Sequence, residues 1–351
     1  MKLSEHLRAL LAGTQRGPAA TLKRVALRVA SVPYGWAVRA RNGLFDRGWK
    51  HSEKAGVPVI SVGNLTVGGT GKTPCVEYVA RRLREWDRQV AILSRGYGND
   101  RGPNDEALVL EENLPDVPHL QDADRVALAK IAVTELESDA LVLDDGFQHR
   151  RLARDLDIVL IDATEPWGYG YLLPRGLLRE PASGLKRAGV IVLTRCDQVD
   201  AASLTRLREQ TAKLAPLAPI VETSHRPAHW IDAQRQTRPL EYLRGKKALA
   251  FCGIGNPDAF RKTLEGLGVT IEGEGFRAFP DHHPYGRTDV EALRNWARQE
   301  ATEGVVVTTQ KDLVKLRLTR LGDCELWALR IQLHPHAGQD ALDRKLKEAL
   351  G

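Results

Sequence analysis

The stretch Val57–Pro74, VPVISVGNLTVGGTGKTP, constrains this 351-residue chain more than any other. Its apolar, β-branched opening predicts a buried strand over Val57–Val62. A glycine-rich turn follows, and a helix is expected to start at Lys72-Thr73, with Pro74 tolerated in its first turn. Strand, glycine turn and helix in this order are the context that a phosphate-binding loop requires. Gly68, Gly69 and Gly71 leave backbone N–H groups free to converge on phosphate oxygens with no Cβ in the way. The helix N-terminus adds the positive end of its dipole. Thr66, Val67, Gly68, Gly69, Thr70, Gly71, Lys72 and Thr73 are therefore the expected nucleotide cradle. Lys72 is expected to reach the β- and γ-phosphates and the Thr73 hydroxyl to meet Mg²⁺. The full motif begins with glycine where this chain has Thr66, but the GGTGKT core is intact.

Such a site needs a carboxylate beside the loop. The run Ala140-Leu-Val-Leu-Asp144-Asp145-Gly146 predicts an apolar strand ending in two acids. Asp144 is expected to hold Mg²⁺ directly or through water, and Asp145 to assist the metal or orient an acceptor.

Around these motifs, short apolar runs alternate with helical periodicity. Strands are predicted near Val57–Val62, Val90–Leu93, Leu141–Leu143, Ile158–Ile161, Val190–Leu193 and Ile220–Thr223. Helices are predicted near Val76–Trp86 and Arg125–Leu136. Continuous apolar strands separated by helices imply a largely parallel sheet covered on both faces. A polar stretch, Ser224 to about Lys246, reads as a junction. A second α/β series then offers strands near Ala248–Phe251, Val305–Thr308 and Leu326–Leu329, with helices near Pro257–Leu267, Val290–Ala301 and Gln339–Leu350. The expected fold class is thus α/β, a P-loop NTPase-type sheet with flanking helices plus a smaller α/β domain. Its expected divisions are a basic segment at 1–55, a nucleotide-binding domain at 56–223, a linker at 224–246 and a C-terminal domain at 247–351.

The net charge of +6 is unevenly spread. Residues 1–55 hold eleven Lys/Arg against Glu5, Asp46 and Glu53, which leaves the rest of the chain slightly acidic. The same segment carries apolar residues at helix-like spacing, Leu3, Leu7, Leu10 and Leu11, then Leu22, Val25, Ala26 and Val29, and later Trp36, Val38, Leu44, Phe45 and Trp49, a pattern for an amphipathic helical segment. That suits either an anionic membrane surface or a hairpin packed on the domain with a solvated basic face. No run approaches the ~18 apolar residues of a spanning helix, and no signal-peptide pattern stands at the start. Nucleic acid is not expected as a partner, since no aromatic-interleaved basic strand or zinc module is present. Nothing calls for an obligate protein partner. Cys75, Cys196, Cys252 and Cys324 show no CxxC spacing, which argues against a disulfide framework.

The block DDGFQHRRL, Asp144–Leu152, makes the pattern specific. Together with SVGNLTVGGTGKTP, SRGYG (Ser94–Gly98), LLPRGLLREP (Leu172–Pro181), GIGNP (Gly253–Pro257), FPDHHPYG (Phe279–Gly286) and QKDLVKL (Gln310–Leu316), it resembles the tetraacyldisaccharide 4′-kinase family over nearly the whole chain. The resemblance implies ATP-dependent phosphorylation, with Mg²⁺, of the 4′-hydroxyl of a tetraacylated glucosamine disaccharide 1-phosphate in lipid A synthesis. It further implies a peripheral enzyme on the cytoplasmic face of the inner membrane, with residues 1–55 contacting the membrane surface. An Asp base assisted by a His is also implied, and Asp105 in RGPNDEALVL and His282 match those positions. Asn104 and Ala107 depart from the family's usual Gly and Pro there. His282 is preferred to His283 by its place in the motif. Glu106 stands as a supporting carboxylate. Arg95, Arg125, Arg175 and Arg179 are candidates for phosphate groups of acceptor or nucleotide, because guanidinium pairs with phosphate in a bidentate way. Tyr97 and Gln148 are candidate acceptor contacts. Placing Asp105 and His282 on different domains leads to an expected hinge closure.

Two other classes compete. A P-loop ATPase or GTPase of the partitioning or metal-insertion type shares the glycine loop, yet the signature lysine of that type is replaced by Val67. Thr194-Arg195-Cys196-Asp197 lacks the Asn and Lys of a guanine-reading motif, so ATP is favoured. A peripheral lipid-binding protein with a merely structural nucleotide site fits less well with intact Lys72, Thr73 and Asp144.

Overall fold

The computed structural model describes residues 5–96, 105–271, 273–300 and 304–351. The chain folds into two compact units, one from Met1–Gly98, Asp116–His225 and Leu333–Gly351, the other from Asn99–Pro115 and Arg226–Gln332.

In the first unit, seven parallel strands lie in the order Ile220–Ile231, Val190–Thr194, Leu156–Asp162, Val59–Asn64, Ala140–Asp144, Val90–Ser94 and His119–Gln121. Parallel strands need crossovers, and the helices that supply them cover both faces, so the central strands are largely apolar. Every residue of Val59–Asn64, Val90–Ser94 and Val190–Thr194 is accordingly buried. On one face, Val59, Leu93, Leu141 and Leu143 pack with Val126 and Ala129 of the Arg125–Thr134 helix, and further across that same face Val159 and Ile191 gather with Phe147 and Leu207. The Val59–Asn64 strand sits centrally, and Val62 lies opposite Asp144 on the neighbouring strand. The glycine loop and the paired acids therefore emerge side by side at the carboxyl ends of adjacent strands.

Two helices, Glu5–Ala12 and Pro18–Asp46, precede the sheet. The longer one buries Ala20, Ser31 and Gly35. Ser31 Oγ donates to Leu172 O at 3.0 Å and Tyr34 OH to Arg179 O at 2.7 Å. A Cβ on Gly35 would come within 2.9 Å of Leu172 Cδ1, so the Leu172 side chain would have to shift to admit one. Leu22, Val25, Val29, Val32 and Trp36 stay exposed. At 100° per residue they share an arc of roughly 80°. Among the described residues, no helix is long and apolar enough to cross a membrane.

The second unit carries parallel strands Phe276–Ala278, Leu249–Cys252, Val305–Thr309 and the first part of Cys324–Ala337, the last closing a short antiparallel pair with Arg320–Leu321. Phe260 and Leu264 cover one face, and Leu293, Trp296 and Ala297 the other.

Three expectations are corrected. The stretch expected as a 224–246 linker begins as a strand, since Ile220–Ile231 runs on to buried Trp230 and Ile231 and pairs with Thr237–Arg238. Asn99–Pro115, expected within the nucleotide-binding domain, belongs to the second unit, and Asp105 opens a helix there, Asp105–Asn113. That helix packs on Gln310–Leu316, where Gln310 Nε2 donates to Asn113 Oδ1 at 2.7 Å. Finally, Leu333–Gly351 returns to the first unit: Leu342 and Leu346 of the Gln339–Leu350 helix are buried, and Arg82 pairs with Asp343. The last two corrections arise from contacts between residues far apart in the chain, which local pattern does not encode.

Candidate functional site: a phosphate loop and an Asp–His pair

Asn64 ends the central strand and folds the loop that follows. Its Nδ2 donates to Thr66 O at 2.7 Å, while its Oδ1 accepts from Lys72 Nζ at 3.3 Å. Gly68 and Gly71 have φ of 121° and 88°, values open to glycine but strained for other residues. Behind the loop, Val67 N donates to Leu177 O at 2.8 Å, Thr194 Oγ1 to Thr70 O at 2.9 Å and Arg195 Nη2 to Gly69 O at 2.7 Å. A Cβ on Gly71 would meet the His225 ring at 2.5 Å, whereas one on Gly68 or Gly69 would meet nothing within 4 Å. The loop is thus braced on one side and open on the other. The Lys72–Glu85 helix begins here, and its first N–H groups have no intrahelical acceptor. Burial, with help from Arg195, pushes His225 down to about 4, so it packs on Gly71 as a neutral ring.

The acids stand next to the lysine. Asp145 has φ 51°. Arg179 Nη1 donates to both its carboxylate oxygens at 2.8 Å, and Lys72 Nζ lies 3.6 Å away. Burial works to raise the Asp145 carboxyl, but Lys72 and Arg179 outweigh it and hold the group below the usual carboxylate range. Buried Arg125 donates to Asp145 O at 3.3 Å. Thr73, Asp144 and Asp145 offer only oxygen donors, the set suited to a hard divalent cation such as Mg²⁺. The glycine loop likewise leaves backbone room for a phosphate chain.

The other sequence candidates fall into distinct places. Gln148 Nε2 donates to Asn64 O and to Glu180 Oε1, both at 2.9 Å. Arg95 is exposed beyond the Val90–Ser94 strand. Tyr97 lies outside the described residues. Arg175 turns toward the N-terminal helices: its Nη1 donates to Leu11 O at 2.8 Å and its guanidinium lies 4.3 Å from the Tyr171 ring centre.

In the second unit, Asp105 and His282 meet. His282 Nδ1 lies 2.9 and 2.8 Å from the two Asp105 oxygens and donates to that carboxylate. The expectation that the two sit on different domains is therefore corrected, because both belong to one unit. Asp105 is buried at the N-terminus of its helix and also accepts from Glu106 N at 2.9 Å. Burial would raise its carboxyl, but the His282 hydrogen bond and the Lys311 and Lys315 ammonium groups leave it lowered. His282 is raised chiefly by that hydrogen bond. Glu106 pairs with Lys311 at 2.8 Å. His283 is engaged elsewhere, 3.1 Å from Asp289 and against the Phe279 and Tyr285 rings.

Sequence reasoning missed Asn64, Glu180, Arg195, Lys311 and Lys315. Glu180, only 1% exposed, pairs with Arg187 at 2.9 Å and accepts from Asn42 and Gln148. Asn64, Glu180, Lys311 and Lys315 lie within the motif blocks quoted above, but the spacing in those blocks does not say which side chains they meet; that becomes visible only once their neighbours are known. A separate group, Cys196, Glu222 and His336, also gathers ligand-type atoms. There Arg208 already engages both Glu222 oxygens, and burial pushes the Cys196 thiol up to about 11, so packing accounts for it.

A parallel sheet whose central strand feeds a glycine–lysine loop beside a strand ending in acids defines a P-loop nucleotide-binding protein. The model of the family tetraacyldisaccharide-1-P 4′-kinase matches residues 23–351, and the chain belongs to that family. The tetraacyldisaccharide 4′-kinase of Anaeromyxobacter sp. (strain Fw109-5) is 43% identical over 356 residues, covering 96% of this chain and 95% of the relative. That of Geobacter metallireducens is 38% identical over 346 residues, covering 91% and 97%. A crystal structure of LpxK from Aquifex aeolicus in complex with ATP superposes with a TM-score of 0.75 at 30% identity, covering 93% of this chain and 99% of that one.

Proposed function

We infer that this chain is the kinase that moves the γ-phosphoryl group of ATP to the 4′-hydroxyl of tetraacyldisaccharide 1-phosphate in lipid A synthesis. The observation that carries this is the family match over residues 23–351 with the GGTGKT loop intact within it. The partitioning or metal-insertion ATPase and the lipid-binding protein with a structural nucleotide site are not favoured, since neither explains that match.

The loop N–H groups and Lys72 would grip the β- and γ-phosphates. Thr73, Asp144 and Asp145 would hold Mg²⁺, which when bound supplies positive charge against the phosphate oxygens. Arg179 and Lys72 keep Asp145 ionised, as that role needs. Asp105 would take the proton of the 4′-hydroxyl as its oxygen bonds to the γ-phosphorus and the bond to the β–γ bridging oxygen breaks, releasing ADP. His282 would orient the carboxylate through its Nδ1–H and balance its charge. Arg125 and Arg179 remain candidates for phosphate contacts.

The acceptor's acyl chains hold it in a bilayer, since each buried CH₂ is worth about 0.8 kcal/mol. The exposed stripe Leu22, Val25, Val29, Val32 and Trp36, flanked by exposed Lys23, Arg28 and Arg39, supports peripheral attachment to an anionic membrane surface. We place the enzyme on the cytoplasmic face of the inner membrane, where ATP is available.

The test is the full chain with [γ-³²P]ATP, Mg²⁺ and tetraacyldisaccharide 1-phosphate in mixed micelles. Label should appear on the 4′-oxygen and depend on acceptor. ATP turnover that is equal with and without acceptor, with no labelled lipid, would refute the assignment.

A further inference from the structure

Behind Asp105 lies a cation whose geometry the reaction scheme above leaves unused. Lys315, on the Gln310–Leu316 helix, places its ammonium 3.9 Å from Asp105 Oδ2 and 3.0 Å from Asp312 Oδ1. Asp312 is fully buried. Its Oδ2 accepts from Gly253 N at 2.9 Å and Thr309 Oγ1 at 2.6 Å, and its Oδ1 from Tyr285 OH at 3.1 Å. Gly253 O in turn accepts from His282 N at 3.0 Å. His282 is held there at φ 57°, a left-handed conformation that a histidine keeps only when its surroundings impose it. One ammonium thus touches the carboxylate of the Asp–His pair and, through Asp312 and Gly253, the backbone turn that presents the histidine.

We propose that Lys315 is a positioning residue for phosphoryl transfer, fixing the Asp105 carboxylate and the His282 turn in one register through Asp312. The proposal rests on the reading of Asp105 as the base. Its physical logic is that a buried carboxylate must be kept ionised and aimed before the hydroxyl arrives. His282 alone serves poorly, because its side chain is about half exposed, at 51%, and loses its proton as pH rises. Lys315, with only 14% of its side chain exposed, meets the carboxylate from the buried side. Asp105 is faced by Glu106 on its own helix, by Lys311 and Lys315 on the Gln310–Leu316 helix and by His282 on its loop; Asp281 lies 3.9 Å from His282 Nε2. Lys311 is bound to Glu106 at 2.8 Å, which leaves Lys315 as the ammonium shared between Asp105 and Asp312.

The test is steady-state kinetics of the full chain across pH 3–9 with ATP, Mg²⁺ and the acylated disaccharide 1-phosphate. Lys315→Met should lower kcat about ten- to a hundredfold, as loss of alignment does, while KM for ATP stays within about twofold. The acid limb of kcat should move to higher pH, since Asp105 loses a neighbouring positive charge. Lys315→Arg should restore most of the rate. In an Asp105→Asn background, Lys315→Met should cost nothing further, because its target is gone. An unmoved acid limb, or an equal loss in that background, overturns the proposal. If Lys315→Met fails to fold, since breaking a buried pair leaves Asp312 uncompensated, the pair variant Lys315→Met/Asp312→Asn takes its place. The same shift is expected there, and a wild-type profile overturns the proposal. Near-normal turnover of Asp105→Asn alone would instead sink the reading of the base, an outcome that does not involve Lys315.

Discussion

Replacing Leu22, Val29 and Trp36 together by serine should detach the enzyme from membranes while leaving its fold and nucleotide site intact. The three side chains are 71%, 66% and 69% exposed on one face of the Pro18–Asp46 helix. Full burial of an apolar side chain of this size is worth ~1.5–3 kcal/mol. About two thirds of that surface is available to the bilayer, so each contributes ~1–2 kcal/mol and the three ~3–6 kcal/mol. At 1.4 kcal/mol per decade, this is roughly a 10²- to 10⁴-fold loss of partitioning. Exposed Lys23, Arg28 and Arg39 add ~1 kcal/mol each on anionic lipid, so some salt-sensitive binding should survive. The assay is co-sedimentation with phosphatidylglycerol-containing vesicles at two salt concentrations, with circular dichroism and ATP binding as controls. The variant should also show a raised KM for vesicle-borne acceptor. Vesicle binding within threefold of the parent would show that the stripe does not face lipid and would refute the argument.

Asp105→Asn should cut turnover by about 10²- to 10⁴-fold, the usual worth of a positioned base, with ATP affinity nearly unchanged; equal losses in both would remove it from that role. Gly71→Ala should destabilise the loop by roughly 2–4 kcal/mol, from left-handed strain and the clash with His225. His225→Ala should relieve only the clash, giving a coupling of roughly 1–3 kcal/mol in thermal melts with and without ATP; strict additivity would contradict the contact. The Asp105–His282 pair should also make stability depend on pH. Asp105 is lowered from 3.8, so its contribution is present above that value and lost as pH falls through the depressed value. His282 is raised from 6.5, so its contribution is complete below that value and lost as pH rises through the raised one. The Tm gap between wild type and His282→Ala should therefore be widest between about pH 4 and 6.5 and narrow above it; a gap that widens with pH would contradict a raised His282.

The phosphate loop was legible because its requirements are local. Glycines at 68, 69 and 71, a lysine and a threonine act through the backbone of a dozen consecutive residues, so order along the chain suffices. The buried parallel strands were legible for a similar reason, since a strand covered on both faces reads as a nearly continuous apolar run. Short strands such as His119–Gln121 and Phe276–Ala278 and the Gln310–Leu316 helix were not, because each is too short to show a period.

Read alone, the chain determined the α/β class, the nucleotide cradle with its acids, the basic amphipathic start and the family. Tertiary structure alone decided that Asn99–Pro115 joins the second unit, that Asp105 and His282 share that unit, and that Lys315 lies under both Asp105 and Asp312. The division has one physical cause. Periodicity and motif record what neighbouring residues must do, whereas a carboxylate's charge, its orientation and its company are set by groups up to 210 positions away, the separation of Lys315 from Asp105.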